Sequence, residues 1–349
     1  LIYTPDFAGG TFTFIRIAVM GLICMIIVES IDKMWKLKFI IYGMILIPVG
    51  ISILSIYQIL TGGTFYAPRV TKVATTLGLA VFRATGTFAN PNGLGCFLMI
   101  GIVIGFGILF VKKLNPLLKL LLVISIIVSS AGILTTFSRA GWLSTIAGLI
   151  IIVALHKKWS YFWYITGAVV LITIMLSVYI PQLWEVIFDR FGSIFNPSEE
   201  SSSSSRISLI RTGIWMWQDH PFFGVGLRGF PKMYYDYVDP NMPHILIEVN
   251  EPHTIQAQIL AEEGLIGFVV ATWLFITIVF QGLRYSFTLK DDFLRCTQIA
   301  CTALFVGFVV NFTFAADLTN NAFWMTVGLI YAIPFIEKYT SLKSNNVNY

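Results

Sequence analysis

Charged side chains are scarce in this 349-residue chain: Asp, Glu, Lys and Arg make up 12% of it, against 56% hydrophobic residues and a mean hydropathy of +0.80. So small a polar complement cannot clothe a soluble globule of that size, which makes lipid the main solvent. Cysteine is rare too. Cys24, Cys96, Cys296 and Cys301 suggest no disulfide framework, because only Cys96 falls near the outer end of a predicted span. Histidine occurs only at His156, His220, His244 and His253, with no H-E-x-x-H or comparable spacing, so no metal is expected. No signal peptide is visible, and the chain opens at Leu1 without an initiator Met; the expectation is a fragment of a longer chain with earlier helices.

What is abundant is apolar sequence in runs of about 20 residues, the length a helix needs to cross roughly 30 Å of hydrocarbon. Backbone groups in lipid must be satisfied within each segment. Runs such as Phe39 to Leu60 lack the period-two alternation of a membrane barrel. The expected fold is therefore all-α, a polytopic bundle with spans at about 11–29, 39–60, 93–111, 117–136, 141–156, 160–180, 257–280, 297–316 and 322–337. Residues 1–180 hold six of these, 181–256 form one large loop with short helices, and 257–349 hold three spans and a short tail.

The connections alternate in charge. One set carries thirteen basic residues, from Lys33, Lys36 and Lys38 to Lys338 and Lys343, and marks the cytoplasmic side; the large loop then lies outside. Eleven of those thirteen are Lys, whereas eight of the ten on or near the outer side are Arg: Arg16, Arg69, Arg83, Arg139, Arg190, Arg206, Arg211 and Arg228. A guanidinium fork grips phosphate bidentately, which is a reason to choose arginine there. Snorkelling to the headgroups would also place it.

A connection as long as 181–256 is usually functional or disordered. Pro197 to Ser205, with five consecutive serines, reads as a mobile linker. Beyond it Ile207, Ile210, Ile214 and Trp217 have helical spacing, with Ser205 as N-cap and Pro221 as the stop, and Gly224, Gly226 and Gly229 form a turn. Three outer arginines fall near expected helix starts: Arg139 after Ser138, Arg206 after Ser205, and Arg83 ahead of Asn90-Pro91-Asn92-Gly93. A cation beside the positive end of a helix is unfavourable by ~0.3–1 kcal/mol, and a bound anion offsets that cost. His253 stands where the loop re-enters the membrane, on one face with Ala257, Leu260, Gly264 and Gly267. Small residues there permit close packing. Imidazole there can act as a base near neutral pH, or simply cap the helix.

These residues resemble the O-antigen ligase and polymerase superfamily of bacterial envelope polysaccharide enzymes. His253-Thr254, nine residues, then Gly264-Leu265-Ile266-Gly267 is similar to its pattern of His, small polar residue, nine positions and G-x-x-G, with Glu262 at the usual acidic position. Arg206 followed by Pro221-Phe222-Phe223-Gly224-Val225-Gly226 resembles its arginine helix and P-x-x-G-x-G turn. Thr87 to Asn92 and Thr136-Phe137-Ser138-Arg139 resemble two smaller signatures, so that the match runs over about residues 83–270. Thr254 stands where Asn, Ser or Gln is usual, and Ile210 where Leu is usual.

The resemblance implies transfer of a glycan from a polyprenyl-pyrophosphate carrier to an acceptor hydroxyl on the outer face of the bacterial cytoplasmic membrane, with no cofactor and no metal. The implied partners are the lipid-linked oligosaccharide, a glycan or lipid-glycan acceptor, membrane lipids and other polysaccharide assembly proteins; no nucleic acid is expected. His253 would be the base. Arg139 and Arg206 would bind pyrophosphate with Arg211 and Arg83 behind them, and Asn92, Glu262, Gly264 and Gly267 would support the site. Richness in Ile, Lys and Asn tilts the expectation toward a polymerase of a teichuronic-acid-like or capsular polymer. The rivals are a lipid-oligosaccharide flippase and a non-catalytic assembly partner. Transporters usually carry ionisable residues near the bilayer midplane, and here Arg16 and Asp317 lie near predicted span ends.

Overall fold

The computed structural model of the chain describes residues 4–61, 71–74, 80–161, 201–238, 252–315 and 317–346, with single residues between 163 and 192. It is a polytopic helical membrane protein. In chain order come α1 (Phe7–Ser30), α2 (Met34–Leu60), β1 (Thr71–Ala74), β2 (Ala80–Arg83), α3 (Pro91–Ile108), α4 (Pro116–Thr135), α5 (Arg139–His156), α6 (Ser201–Asp219), α7 (Phe230–Met233), α8 (Ile255–Thr288), α9 (Asp292–Phe312) and α10 (Asn321–Asn346). Among the described residues seven helices, α1 to α5, α8 and α9, are long and apolar enough to cross a membrane. Helix α10 covers the ninth predicted span. The sixth, at 160–180, lies outside the described residues apart from single helical positions.

The chain divides into two compact units, the first made of Leu1–Met25, Asn196–Phe280 and Phe312–Met325, the second of Ile26–Phe195, Gln281–Asn311 and Thr326–Tyr349. In the second unit α3 packs on α2, α4 and α5. Fifteen of its eighteen residues are buried, which makes it the bundle's centre, whereas its neighbours expose leucines and isoleucines suited to lipid. Close approach rests on small residues: a Cβ at Gly132 would strike Ser52, and one at Gly107 would meet Ala300. Helix entry follows side-chain capping. Asn90 accepts from Gly93 N at 2.8 Å with Pro91 next, Asn115 accepts from Leu117 N at 2.8 Å, and Ser138 accepts from Gly141 N at 3.2 Å.

In the first unit α6 and α7 pack around Leu209, Met216, Val225, Phe230, Tyr234 and Ala261, a small apolar core that joins the turn after α6 to the start of α8. Helix α8 is not continuous. Gly264 has φ 69° and ψ −166°, a combination open essentially only to glycine, and breaks it in two. The stretch after the break, 265–288, is about 36 Å long and sufficient to span. The stretch before it, 255–263, holds Glu262 and Glu263 and belongs to the polar junction outside the span.

Three expectations are corrected. Helix α6 begins at Ser201, so Ser201 to Ser205 are helical rather than linker, and Ser205 is not an N-cap. Arg206 is therefore in the second turn, away from the helix start. The single face drawn from His253 through Gly267 is interrupted at Gly264. Finally, an otherwise all-α fold carries one hairpin, β1 antiparallel to β2 with Thr71 opposite Arg83. Its β-branched and aromatic residues favour strand.

Candidate functional site

The junction in the first unit is built from backbone groups that a broken helix leaves without partners. The carbonyls of Ala261 and Glu262, just before the break, accept from Val225 N and Gly226 N, both at 2.8 Å. The amides of Leu265 and Ile266, just after it, donate to Pro221 O at 2.8 Å and Phe222 O at 3.3 Å. The P-x-x-G-x-G turn thus plugs the break group for group. Glycine is required on both sides: a Cβ on Gly224 would run into the Glu262 backbone, and one on Gly264 into the Phe222 backbone. Two motifs separated in sequence prove to be halves of one interlock.

Glu262 reinforces it. Its carboxylate is 2% exposed, and Oε1 accepts from Phe230 N at the start of α7 at 3.2 Å while Oε2 accepts from Gln258 Nε2 at 3.4 Å. Burial raises its pKa to about 7, opposed by the backbone bonds from Arg228 and Phe230 and by Gln258.

His253 stands two residues ahead of α8 with φ 57°, a left-handed conformation uncommon outside glycine that histidine tolerates better than most. Thr254 takes the capping position, its carbonyl accepting from Gln258 N at 3.1 Å and its hydroxyl donating to Gln256 Oε1 at 2.8 Å. The imidazole's pKa is lowered, first because the surrounding protein desolvates the ring and second because Arg206 is close. A lowered pKa keeps the ring neutral near pH 7, the form that can accept a proton. Half-buried Arg206 and the more exposed His253 thus lie near each other in the junction. Arg211 is not brought in. Five residues on, it is turned about 140° around α6 and is exposed.

A separate cluster forms in the second unit. Arg83 Nε donates to Thr136 O at 2.8 Å and its Nη2 to Asn92 Oδ1 at 3.1 Å, while Ser138 Oγ donates to the same Oδ1 at 2.9 Å. Asn92 in the first turn of α3 thus ties the end of β2 to the cap of α5, where Arg139 is the first helical residue and half-buried. Part of the Arg83 fork is spent on this scaffold.

Gly267 follows the break by one turn, where an added Cβ would collide with Glu263. His220 is exposed beside the turn, and Arg69, Arg190 and His244 lie outside the described residues. Among the described residues no three His, Cys, Asp or Glu side chains are grouped to hold a metal. The interlock itself was missed in the sequence; the signal for it was two glycine motifs whose backbones each needed a partner.

No curated protein matches the chain. Residues 123–272 match the family model described as O-antigen ligase, a stretch that takes in Arg139, Arg206, His253 and both halves of the interlock and leaves out Arg83 and Asn92. Through that region, which is less than half of the chain, it is similar to the O-antigen ligase family.

Proposed function

We propose that the protein transfers a glycan from a polyprenyl-pyrophosphate carrier to an acceptor hydroxyl at the outer surface of the cytoplasmic membrane, by a single displacement. The observation that carries it is an imidazole in a left-handed backbone near an arginine, ahead of a membrane helix, in a region similar to the O-antigen ligase family. His253 takes the proton from the incoming hydroxyl as that oxygen bonds to the anomeric carbon. The bond from that carbon to the pyrophosphate oxygen breaks, and the negative charge leaves with the polyprenyl pyrophosphate. Arg206 stabilises that charge. Attack opposite the leaving group inverts the anomeric carbon. The guanidinium supplies positive charge that a divalent cation supplies elsewhere, so the reaction proceeds in chelator.

The large loop, about 181–256, is then the catalytic segment, outside the membrane between six earlier and three later spans. A polymer-forming reaction, with teichuronic-acid-like or capsular repeats, is the preferred form of this activity, resting on the Ile, Lys and Asn content of the chain.

Purified protein given lipid-linked oligosaccharide and acceptor should release free polyprenyl pyrophosphate as glycan is transferred. His253→Ala should lower turnover by about a thousandfold, within the range of general-base catalysis, while still binding carrier. Wild-type turnover in that variant would remove the base. Movement of intact carrier across the bilayer without release of pyrophosphate would select a flippase instead.

A further inference from the structure

The P-x-x-G-x-G turn is more than a plug. Two independent spans end on it. From α1, Thr4 Oγ1 donates to Leu227 O at 2.7 Å, and a Cβ on Gly9 would come within 3.1 Å of Arg228 Cγ. From α8, the amides of Leu265 and Ile266 donate to Pro221 and Phe222. The part of α8 beyond Gly264 runs about 36 Å from these contacts, the length needed to cross a bilayer and little more. It therefore enters hydrocarbon immediately beyond the turn, which puts residues 221–226 at the membrane boundary.

At that level the turn presents two aromatic rings. Phe222 is 62% and Phe223 64% exposed, beside Leu265 and Ile266, and the same apolar stripe runs on through Val269 and Val270 along the span. The stripe beyond Gly264 is lipid-facing by the nature of a span, and the two phenylalanines continue it upward. Polar residues lie at the other flank, where Asp219 and His220 close α6. The turn's backbone is suited to a layer poor in water: Pro221 O, Phe222 O, Gly224 N, Val225 N and Gly226 N are all hydrogen-bonded within the protein.

We infer that Phe222 and Phe223 form an interfacial membrane anchor, seated where lipid headgroups meet the first acyl carbons. The partner is the bilayer lipid itself. The anchor sets the height of the site: His253 stands two residues ahead of the nine-residue helical segment that ends at Gly264, so the imidazole lies within about 20 Å of the anchored level. A diphosphate held by a membrane-embedded tail is confined to that layer. The anchor rests on the span and the turn alone and stands whether or not the transfer chemistry does.

The test uses the full chain in phosphatidylglycerol-containing nanodiscs, with Cys24, Cys96, Cys296 and Cys301 replaced by Ala and a nitroxide carried on Phe223→Cys. Asp219→Cys serves as the aqueous reference and Val270→Cys as the lipid reference. The label at 223 should relax with oxygen in preference to a water-soluble nickel chelate, by a ratio several-fold above that at 219 and on the side of 270. A ratio equal to that at 219 overturns the anchor. In the chain with its own cysteines, benzoylphenylalanine at position 223 should give a phospholipid adduct on illumination; adducts only to protein, or none, overturn it equally. Both readouts report depth whatever the turnover, so loss of the anchor and loss of the base in His253→Ala are separable.

Discussion

Two helix starts in this protein meet the same difficulty, amides and carbonyls left without partners, and meet it by different means. At α5 a side chain solves it: Ser138 caps Gly141 N, and Asn92 holds Ser138 and Arg83 together. At the break in α8 main chain solves it: residues 221–226 supply both donors and acceptors. A side-chain cap is one replaceable group. A main-chain interlock has no group to replace and depends only on the room that glycine leaves, so the two should respond to mutation on different scales.

The largest effect is expected at Gly264→Val. A β-branched residue meets both a forbidden conformation and the Phe222 backbone there, a cost of about 3 kcal/mol or more, and the variant should be recovered poorly folded and inactive by size exclusion and transfer assay. A well-folded variant with the wild-type melting temperature would show that the interlock is dispensable.

Next comes Arg206→Lys. If a planar fork grips pyrophosphate, turnover should fall at least tenfold with little change in melting temperature, because lysine keeps the charge and loses the geometry. Wild-type kinetics in that variant would reduce Arg206 to a charge.

Glu262→Gln tests the interlock through pH. In the unfolded chain the carboxyl ionises near 4.5 and in the folded chain near 7, so the folded form holds its proton over that window. The carboxyl's contribution is complete below about 4.5 and is lost as pH rises through 7, on the order of 3 kcal/mol in all. Amides of Val225, Gly226 and Phe230, corrected for intrinsic rates, should exchange faster at pH 8 than at pH 6 in wild type and lose that dependence with Gln. Equal pH dependence in both would acquit Glu262.

Ser138→Ala should be the mildest, lowering stability by about 0.5–2 kcal/mol, the usual worth of a cap, with α5 intact by circular dichroism. A loss as large as that at Gly264 would erase the distinction between the two starts.

What could be read in the sequence followed the same division. Most span positions, the turn at Asn90 that opens α3 and the cap at Ser138 were legible, since an apolar run and a polar residue ahead of it are local signals. Arg206 and His253 were legible as candidates through their motifs. The start of α6 was not: five serines have little helix preference, and the core formed by Leu209, Met216, Phe230 and Ala261, distant in sequence, accompanies their helical form. Nor was the break at Gly264, because apolar spacing runs through it without interruption and only the backbone angles disclose it.

Asn92 Oδ1 accepts from Arg83 and from Ser138 together, which uses both of its lone pairs. A further donor reaching that corner finds no lone pair left on this oxygen, and a sugar hydroxyl, for instance, could not donate to it. The whole acceptor capacity of one amide is thus committed to holding the end of β2 and the start of α5 in register.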